Sequence, residues 1–431
     1  MIDDTLIISE FPSKKDIFVN ANSMKERNYG VTFRPFVVVG LRLFSILLGL
    51  TYIKYYTNAL SVDQVGVFFY LGTLSYLLNA LVFLPVDSYM QSRLSSIGVL
   101  PWRTIEQLVG VTLLIGLGVC VFFSVPFVIL NKLSVLDIPL LYGLASLLYL
   151  CTSLRNLLNI RGQAIFSAGM IFLESTARLI AFIFTVAILG ASARTLILSS
   201  IIALAIEFIL LLWQTHRSLQ QSTIEERLDH PLKILRTAST LAGGALSNTA
   251  QLQAYRILFP AAGYATTVAT LGVTANIGGV AMSTFAQVYS QLFLPRLYQS
   301  RGASIGQYVG WGTAMGAGLL AVALPMSNFL VRNLTHAEYV PYASAVGIGI
   351  VIEACNMLIG AFCVYLTING RTGSLFLFQF VGAALSLTGC IGLLGIAPNN
   401  PLALGMVVAI SQLLVTSAIA YYIYLLRRQG L

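Results

Sequence analysis

The chain has 431 residues, 57% of them hydrophobic and only 10% charged, with a formal net charge of +9. Soluble domains carry about a quarter charged residues, so a water-soluble fold of this size is excluded. The basic excess, which elsewhere would point to nucleic acid, is expected instead in the loops on one side of a membrane.

The first 34 residues are polar and mixed in charge and lack a cleavable apolar core, which leaves targeting to the first span. Hydropathy, punctuated by Gly, Pro, Asn and charge clusters, predicts twelve spans. They lie at 35–59, 65–90, 107–130, 138–158, 165–189, 194–215, 236–258, 263–294, 305–331, 340–366, 374–397 and 401–426. The long segment 263–294 is expected to continue as a helix beyond the membrane. The fold class is thus an all-α polytopic membrane protein, with twelve transmembrane helices in two six-helix bundles around a central cavity.

Eighteen Lys and Arg residues fall on the side of the N-terminus, including Arg93, Arg155, Arg161, Arg217, Arg296 and Arg427. Only Lys132, Arg194 and Arg332 fall on the other. The positive-inside bias then makes both termini cytoplasmic. The longest hydrophilic connection, His216 to Arg236, divides six spans from six. The expected organisation is a cytoplasmic segment 1–34, a first bundle 35–215, a connecting loop 216–235, a second bundle 236–426 and a tail 427–431. Arg34 and Arg236, Lys54 and Arg256, and Arg93 and Arg296 recur about 202 residues apart. Two such repeats of six spans share one orientation and are related by an axis along the membrane normal.

Eight ionisable residues fall within spans: Arg42, Lys54, Arg178 and Arg256, and Asp87, Glu174, Glu207 and Glu353. A charge at the bilayer centre costs at least about 2.5–3.5 kcal/mol, so such residues face a bundle interior or a wet cavity rather than lipid. Glu174 and Arg178 are four apart in the favourable acid-before-base order and stack on one helix face. Their pairing fits either a device that fixes helix rotation or a cavity lining. Lys54 and Arg256 lie near the outer ends of the first and seventh spans, where long basic side chains also snorkel to the interface. Asp87, Glu207 and Glu353 have no basic residue three or four positions away. A carboxylate in a low-dielectric cavity can titrate, as ion coupling requires, although pairing across helices accounts for them equally.

On the seventh span Asn248, Gln251 and Tyr255 follow i, i+3, i+7 spacing. The stripe suits a polar cavity wall or interhelical hydrogen bonds. The ninth span carries Gly306, Gly310, Gly312, Gly316 and Gly318, for which close helix packing is the ordinary meaning. The five cysteines sit in apolar runs without ligand spacing, the three histidines form no metal pattern, and no phosphate-binding loop occurs. These features imply no metal, no cofactor and no catalytic residue. The predicted outward loops are short, which argues against an enzyme that holds a polymeric glycan.

The segment "LSVDQVGVF", Leu60–Phe68, resembles the L-[ST]-x-x-x-[FY]-G-x-[FY] pattern after the first span of Wzx-type polysaccharide flippases, in the multidrug/oligosaccharidyl-lipid/polysaccharide exporter superfamily. Leu60, Ser61, Gly66 and Phe68 match, and Val65 replaces the usual aromatic. The resemblance implies a transporter that flips a polyprenyl-diphosphate-linked oligosaccharide across a bacterial inner membrane, in concert with a polysaccharide polymerase, for O-antigen, capsule or exopolysaccharide. On charge and depth, the expected cationic cavity is Arg42, Lys54, Arg178 and Arg256, with Asn248, Gln251 and Tyr255 as a polar wall. Glu174, Asp87 and Glu353 are the candidates for charge pairing or ion coupling. The competing readings are a cation-coupled multidrug exporter of the same superfamily and a polytopic glycan polymerase or ligase.

Overall fold

The computed structural model describes residues 34–87, 90, 102–160, 162–219, 243–300, 302–369 and 371–429. The N-terminal segment before Arg34, Arg93, Arg161, Arg301, most of the connecting loop and the start of the seventh span lie outside these residues.

The first half comprises α1 (Arg34–Ala59), α2 (Val62–Leu78), α3 (Trp102–Ile129), α4 (Asp137–Ile160), α5 (Ala164–Leu189) and α6 (Ala193–Leu219). A π-helical turn, Asn79–Phe83, prolongs α2. In the second half, α7 is helical over 243–253 and resumes after Ala254 as Tyr255–Ala261. It is followed by α8 (Ala265–Gln299), α9 (Ile305–Ala323), α10 (Ser327–Leu334), a 3-10 turn (Ala337–Tyr342), α11 (Ala345–Ile368), α12 (Thr372–Ile396) and α13 (Pro401–Arg428). Among the described residues ten helices are long and apolar enough to cross a membrane. The pair α9 and α10 would form an eleventh span if counted as one, but it bends by 72°.

The seventh expected span, 236–258, begins outside the described residues, and the other differences from the expected spans have local causes. The expected span 305–331 breaks in the segment holding Pro325, which lacks the N–H that would continue the helix. The next begins as a 3-10 turn around Pro341 before α11 takes over. By contrast α8 runs unbroken for 35 residues, about 52 Å at 1.5 Å per residue. It is thus longer than the hydrocarbon core, as the length of 263–294 implies.

Large apolar side chains point outwards on many helices, including Phe36, Phe122, Ile188 and Ile396. That is the arrangement expected where lipid, not water, is the solvent. Inside, one core cluster belongs to the first half and is centred on Phe83, Tyr149, Leu158 and Leu204. A second joins α8, α11 and α13 to Tyr52, Tyr56 and Phe69 of the first half.

The Leu60–Phe68 segment explains part of this join. Ser61 caps α2, its hydroxyl accepting from the Gln64 N–H, and the Gln64 side-chain oxygen accepts from the Ala193 N–H at 3.0 Å. A Cβ at Gly66 would overlap the Ala265 carbonyl, so glycine lets α2 and α8 touch backbone to backbone. One turn deeper, the Phe69 ring occupies the space a side chain at position 272 would need. These contacts lie where α1 and α7 end and α2 and α8 begin, at the end of the bundle opposite the start of α1.

Candidate functional site

Toward the end of the bundle where α1 begins, the halves separate around a cavity of about 540 Å³. Arg42 of α1 and Asn156 and Asn159 of α4 line it from the first half. Ser283, Gln287 and Ser290 of α8, Tyr308 of α9 and Glu353 and Asn356 of α11 line it from the second. The Nε of Arg42 is buried with no hydrogen-bond partner. Leaving such a donor unmade costs about 1–3 kcal/mol or more for a charged group, and none of the described side chains around it offsets that cost.

A second cavity of about 230 Å³ lies between α2, α4 and α7, lined by Tyr76, Asn79, Asp87, Tyr149, Thr152, Thr249 and Gln253. The π turn of α2 forms part of its wall. There the Leu84 N–H bonds to the Asn79 carbonyl, five residues back, and the helix widens at that level. Such turns interrupt helices frequently at functional sites.

Behind these walls α4, α5 and α6 share a buried charge network. Arg155 Nη1 lies 2.9 Å from Glu174 Oε2 and 3.2 Å from Glu207 Oε1. Arg178 Nη2 donates to Glu174 Oε1 on the same helix face, and Arg155 Nη2 reaches the Thr152 hydroxyl at 3.4 Å. Glu207 is wholly buried, and neither of its oxygens accepts a hydrogen bond of good geometry. Two basic and two acidic side chains meet here. Their mutual attraction offsets a desolvation cost that any one of them would carry alone.

The sequence-derived candidates are thus distributed over several environments. Arg42 and Glu353 share the large cavity, and Asp87 lines the smaller one, where its Oδ2 accepts from Asn156 at 3.4 Å. Glu174 and Arg178 pair as their spacing implies, but within a network that also takes in Arg155 and Glu207. Lys54 is exposed and lines neither cavity. Arg256 is half-buried with its guanidinium 4.9 Å from the centre of the Phe69 ring, while its Nε donates to the Tyr255 hydroxyl at 3.0 Å. It braces the closed end of the bundle by a cation–π contact between the halves. Lys54 and Arg256, despite matching positions in the halves, do not sit in matching surroundings.

The seventh-span stripe also divides. Gln251 is fully buried against α12 and α13, its Nε2 3.4 Å from the Ser411 hydroxyl and its carbonyl accepting from Ser386 at 2.8 Å. Tyr255 is buried as well, and Asn248 Oδ1 is buried without a partner. The face of α7 that meets a cavity carries Thr249 and Gln253, four residues apart, and Thr73 of α2 donates to Gln253 Oε1 at 3.5 Å. Sequence reasoning missed this face, and it missed Arg155, whose place near a span end reads as a loop charge. The closely spaced amides Asn156 and Asn159 beside Arg155 were the available signal.

No protein-family model and no curated protein matches the chain. Solved structures match it over most of their length. One described as a MATE transporter in complex with MaL6 has a TM-score of 0.62 at 11% identity, over 91% of this chain and 95% of the other. An outward-facing multidrug resistance MATE family transporter of the MOP superfamily gives 0.61 at 9% identity, over 90% and 94%. A MOP superfamily transporter from Pyrococcus furiosus, described as having a binding pocket of reversed polarity that suggests a different function, gives 0.52 at 10%, over 90% and 94%. At these identities the likeness is one of fold.

Proposed function

We propose that this protein is a transporter of the bacterial inner membrane that flips a polyprenyl-diphosphate-linked oligosaccharide between leaflets by alternating access. The observation that carries the reading is the cavity between the halves, with the Arg42 guanidinium in a wall of amides and hydroxyls. Each Asn or Gln offers two donors and an acceptor, the mixed pattern that sugar hydroxyls need. A guanidinium meets the oxygens of a diphosphate with charge-assisted, paired hydrogen bonds. Arg155 and Arg178 stand behind the wall, held by Glu174 and Glu207, and keep the potential on that side from turning negative.

The likeness of fold to MATE transporters supports a transporter and is shared by both readings, while the "LSVDQVGVF" segment, with its resemblance to Wzx-type flippases, favours the glycolipid. With both termini cytoplasmic, the cavity opens toward the leaflet in which such a substrate is assembled. Rocking of the halves would part the Gly66–Ala265 and Arg256–Phe69 contacts and close the cavity mouth. The sugars cross in the cavity while the prenyl tail stays in lipid. A polysaccharide polymerase on the far side would consume the product.

A cation-coupled multidrug exporter is the second reading, favoured by the carboxyl of Glu353 in the same cavity. Reconstitution of the purified protein in vesicles separates the two. The expected result is translocation of a fluorescent lipid-diphosphate-linked oligosaccharide that falls by at least about tenfold, roughly 1.4 kcal/mol in the step it controls, in Arg42→Gln. Uptake of a cationic dye that depends on Glu353, with no glycolipid movement, would overturn the flippase and establish the exporter.

A further inference from the structure

Outside the central cavity and independent of what it carries, a third cavity of about 190 Å³ lies between α9, α11 and α13. Its walls are almost wholly apolar, formed by Ile305, Val309, Phe362, Ala420 and Ile423, with the Tyr424 ring to one side. Arg427 stands at its mouth. The guanidinium comes within 3.5 Å of where a Cβ at position 306 would be, so Gly306 leaves it room to lie over the opening.

Three observations point to the occupant. First, the cavity borders the bilayer. Met406, Ile410, Leu413, Leu414, Tyr421 and Tyr424 are all exposed and recur at helical spacing, so that face of α13 is turned to lipid and Tyr424 joins it to the cavity wall. Second, Arg427 and Arg428 form the last turn of α13, at the level where a span meets lipid headgroups. Tyr424 sits one turn deeper and Tyr421 about two, in the position of an interfacial aromatic belt. Third, no described acidic residue offsets the charge. Among the described residues no carboxylate pairs with Arg427 or Arg428, and Arg428 instead stacks over the Tyr424 ring at 5.4 Å.

We propose that this cavity binds an anionic phospholipid from the leaflet on the side of the chain termini, with an acyl chain between α9, α11 and α13 and the phosphate on Arg427. An apolar slot accepts a chain regardless of headgroup. Two guanidinium groups with no carboxylate paired to them among the described residues favour a headgroup of net negative charge and offer nothing to the ammonium of a zwitterionic one. The lipid would tie α9 to α13 within the second half, at the same end of the bundle as the central cavity mouth.

The test uses the full-length protein, purified in detergent and stripped of lipid, with phosphatidylglycerol or phosphatidylcholine added and the bound lipid counted by native mass spectrometry. Wild type is expected to hold phosphatidylglycerol in preference to phosphatidylcholine, and excess inorganic phosphate is not expected to displace it. Arg427→Gln should weaken phosphatidylglycerol retention by about fivefold, the size expected for one basic group at a membrane surface, and leave phosphatidylcholine unchanged. Gly306→Leu, which crowds the opening, should reduce retention with the charge intact, and Arg427→Lys should keep most of it. Equal retention of the two lipids by wild type, or undiminished phosphatidylglycerol on both Arg427→Gln and Gly306→Leu, would overturn the assignment.

Discussion

The two halves of the molecule solve the problem of packing helices in lipid by opposite means. In the first half, α4, α5 and α6 are held around Arg155, Glu174, Arg178 and Glu207, four ionisable side chains of which Glu207 is wholly buried and the other three partly so. In the second half, among the described residues, the one acid–base approach is His336 to Glu338 at 3.8 Å, in the turn outside the spans. Its helices are held by small residues. A Cβ at Gly278 would overlap the Val346 carbonyl and one at Gly349 the Ala275 carbonyl, so α8 and α11 lie backbone against backbone. Charges specify partners over a few ångströms and tolerate loose packing, whereas glycine contacts need close shape fit and nothing else. The comparison teaches that the polar half places Arg42 on the central cavity in front of its charge network, while the small-residue half supplies the long helix, α8, that forms the facing wall.

The contrast can be broken most severely at its charged side. Arg155→Met leaves one carboxylate of the network without compensation, and we expect a loss of about 3–5 kcal/mol, read as a fall in thermal unfolding temperature in detergent. Combining it with Glu207→Leu removes one charge of each sign and should recover most of that loss. A double variant no better than the single would show that Glu207 is held by something other than Arg155.

At the small-residue side, Gly349→Val drives a side chain into the Ala275 carbonyl and should cost about 1–3 kcal/mol or more. Gly318→Ala, where nothing lies within 4 Å, should be neutral or stabilising by up to about 1 kcal/mol. Similar effects at the two positions would contradict the α8–α11 contact. Between the halves, Gly66→Val should prise α2 from α8 and increase labelling of a cysteine introduced at Thr73. Unchanged labelling would mean that this end is not held shut by the Gly66 contact.

The smallest effect is expected at the bidentate pair of Arg194 and Asp137, 2.7 Å apart by its shorter bond, where Arg194 is half exposed. Arg194→Gln should cost only about 0.2–1 kcal/mol in a chemical-denaturation series, since water screens the pair. A cost like that of Arg155→Met would erase the distinction between the buried network and the surface.

Much of this architecture was legible in the sequence. Most helices coincide with the expected spans because hydropathy records depth, and depth is what the bilayer selects. The contact of Glu174 with Arg178 was legible because both lie on one helix, where spacing fixes proximity. The packing sense of the glycines was half legible. Gly312 meets Met357 and Gly316 meets Ala354, while Gly310 and Gly318 meet nothing within 4 Å, and the spacing alone did not say which pair turns inwards. Arg155, Thr249 and Gln253 were not legible as site residues, and Gln251 read as cavity wall but is packed between helices.

The sequence by itself determined that the chain lives in lipid, where along each helix its charges sit, and which charges must seek shelter. Only the tertiary structure decided the rotation of each helix about its own axis, and with it that Arg155 joins Glu174 to Glu207, that Arg42 and Glu353 face one void, and that Lys54 faces away. The reason is physical. The bilayer acts on every residue separately according to depth, whereas rotation is set by contacts between helices far apart in the chain, which no local pattern along one helix contains.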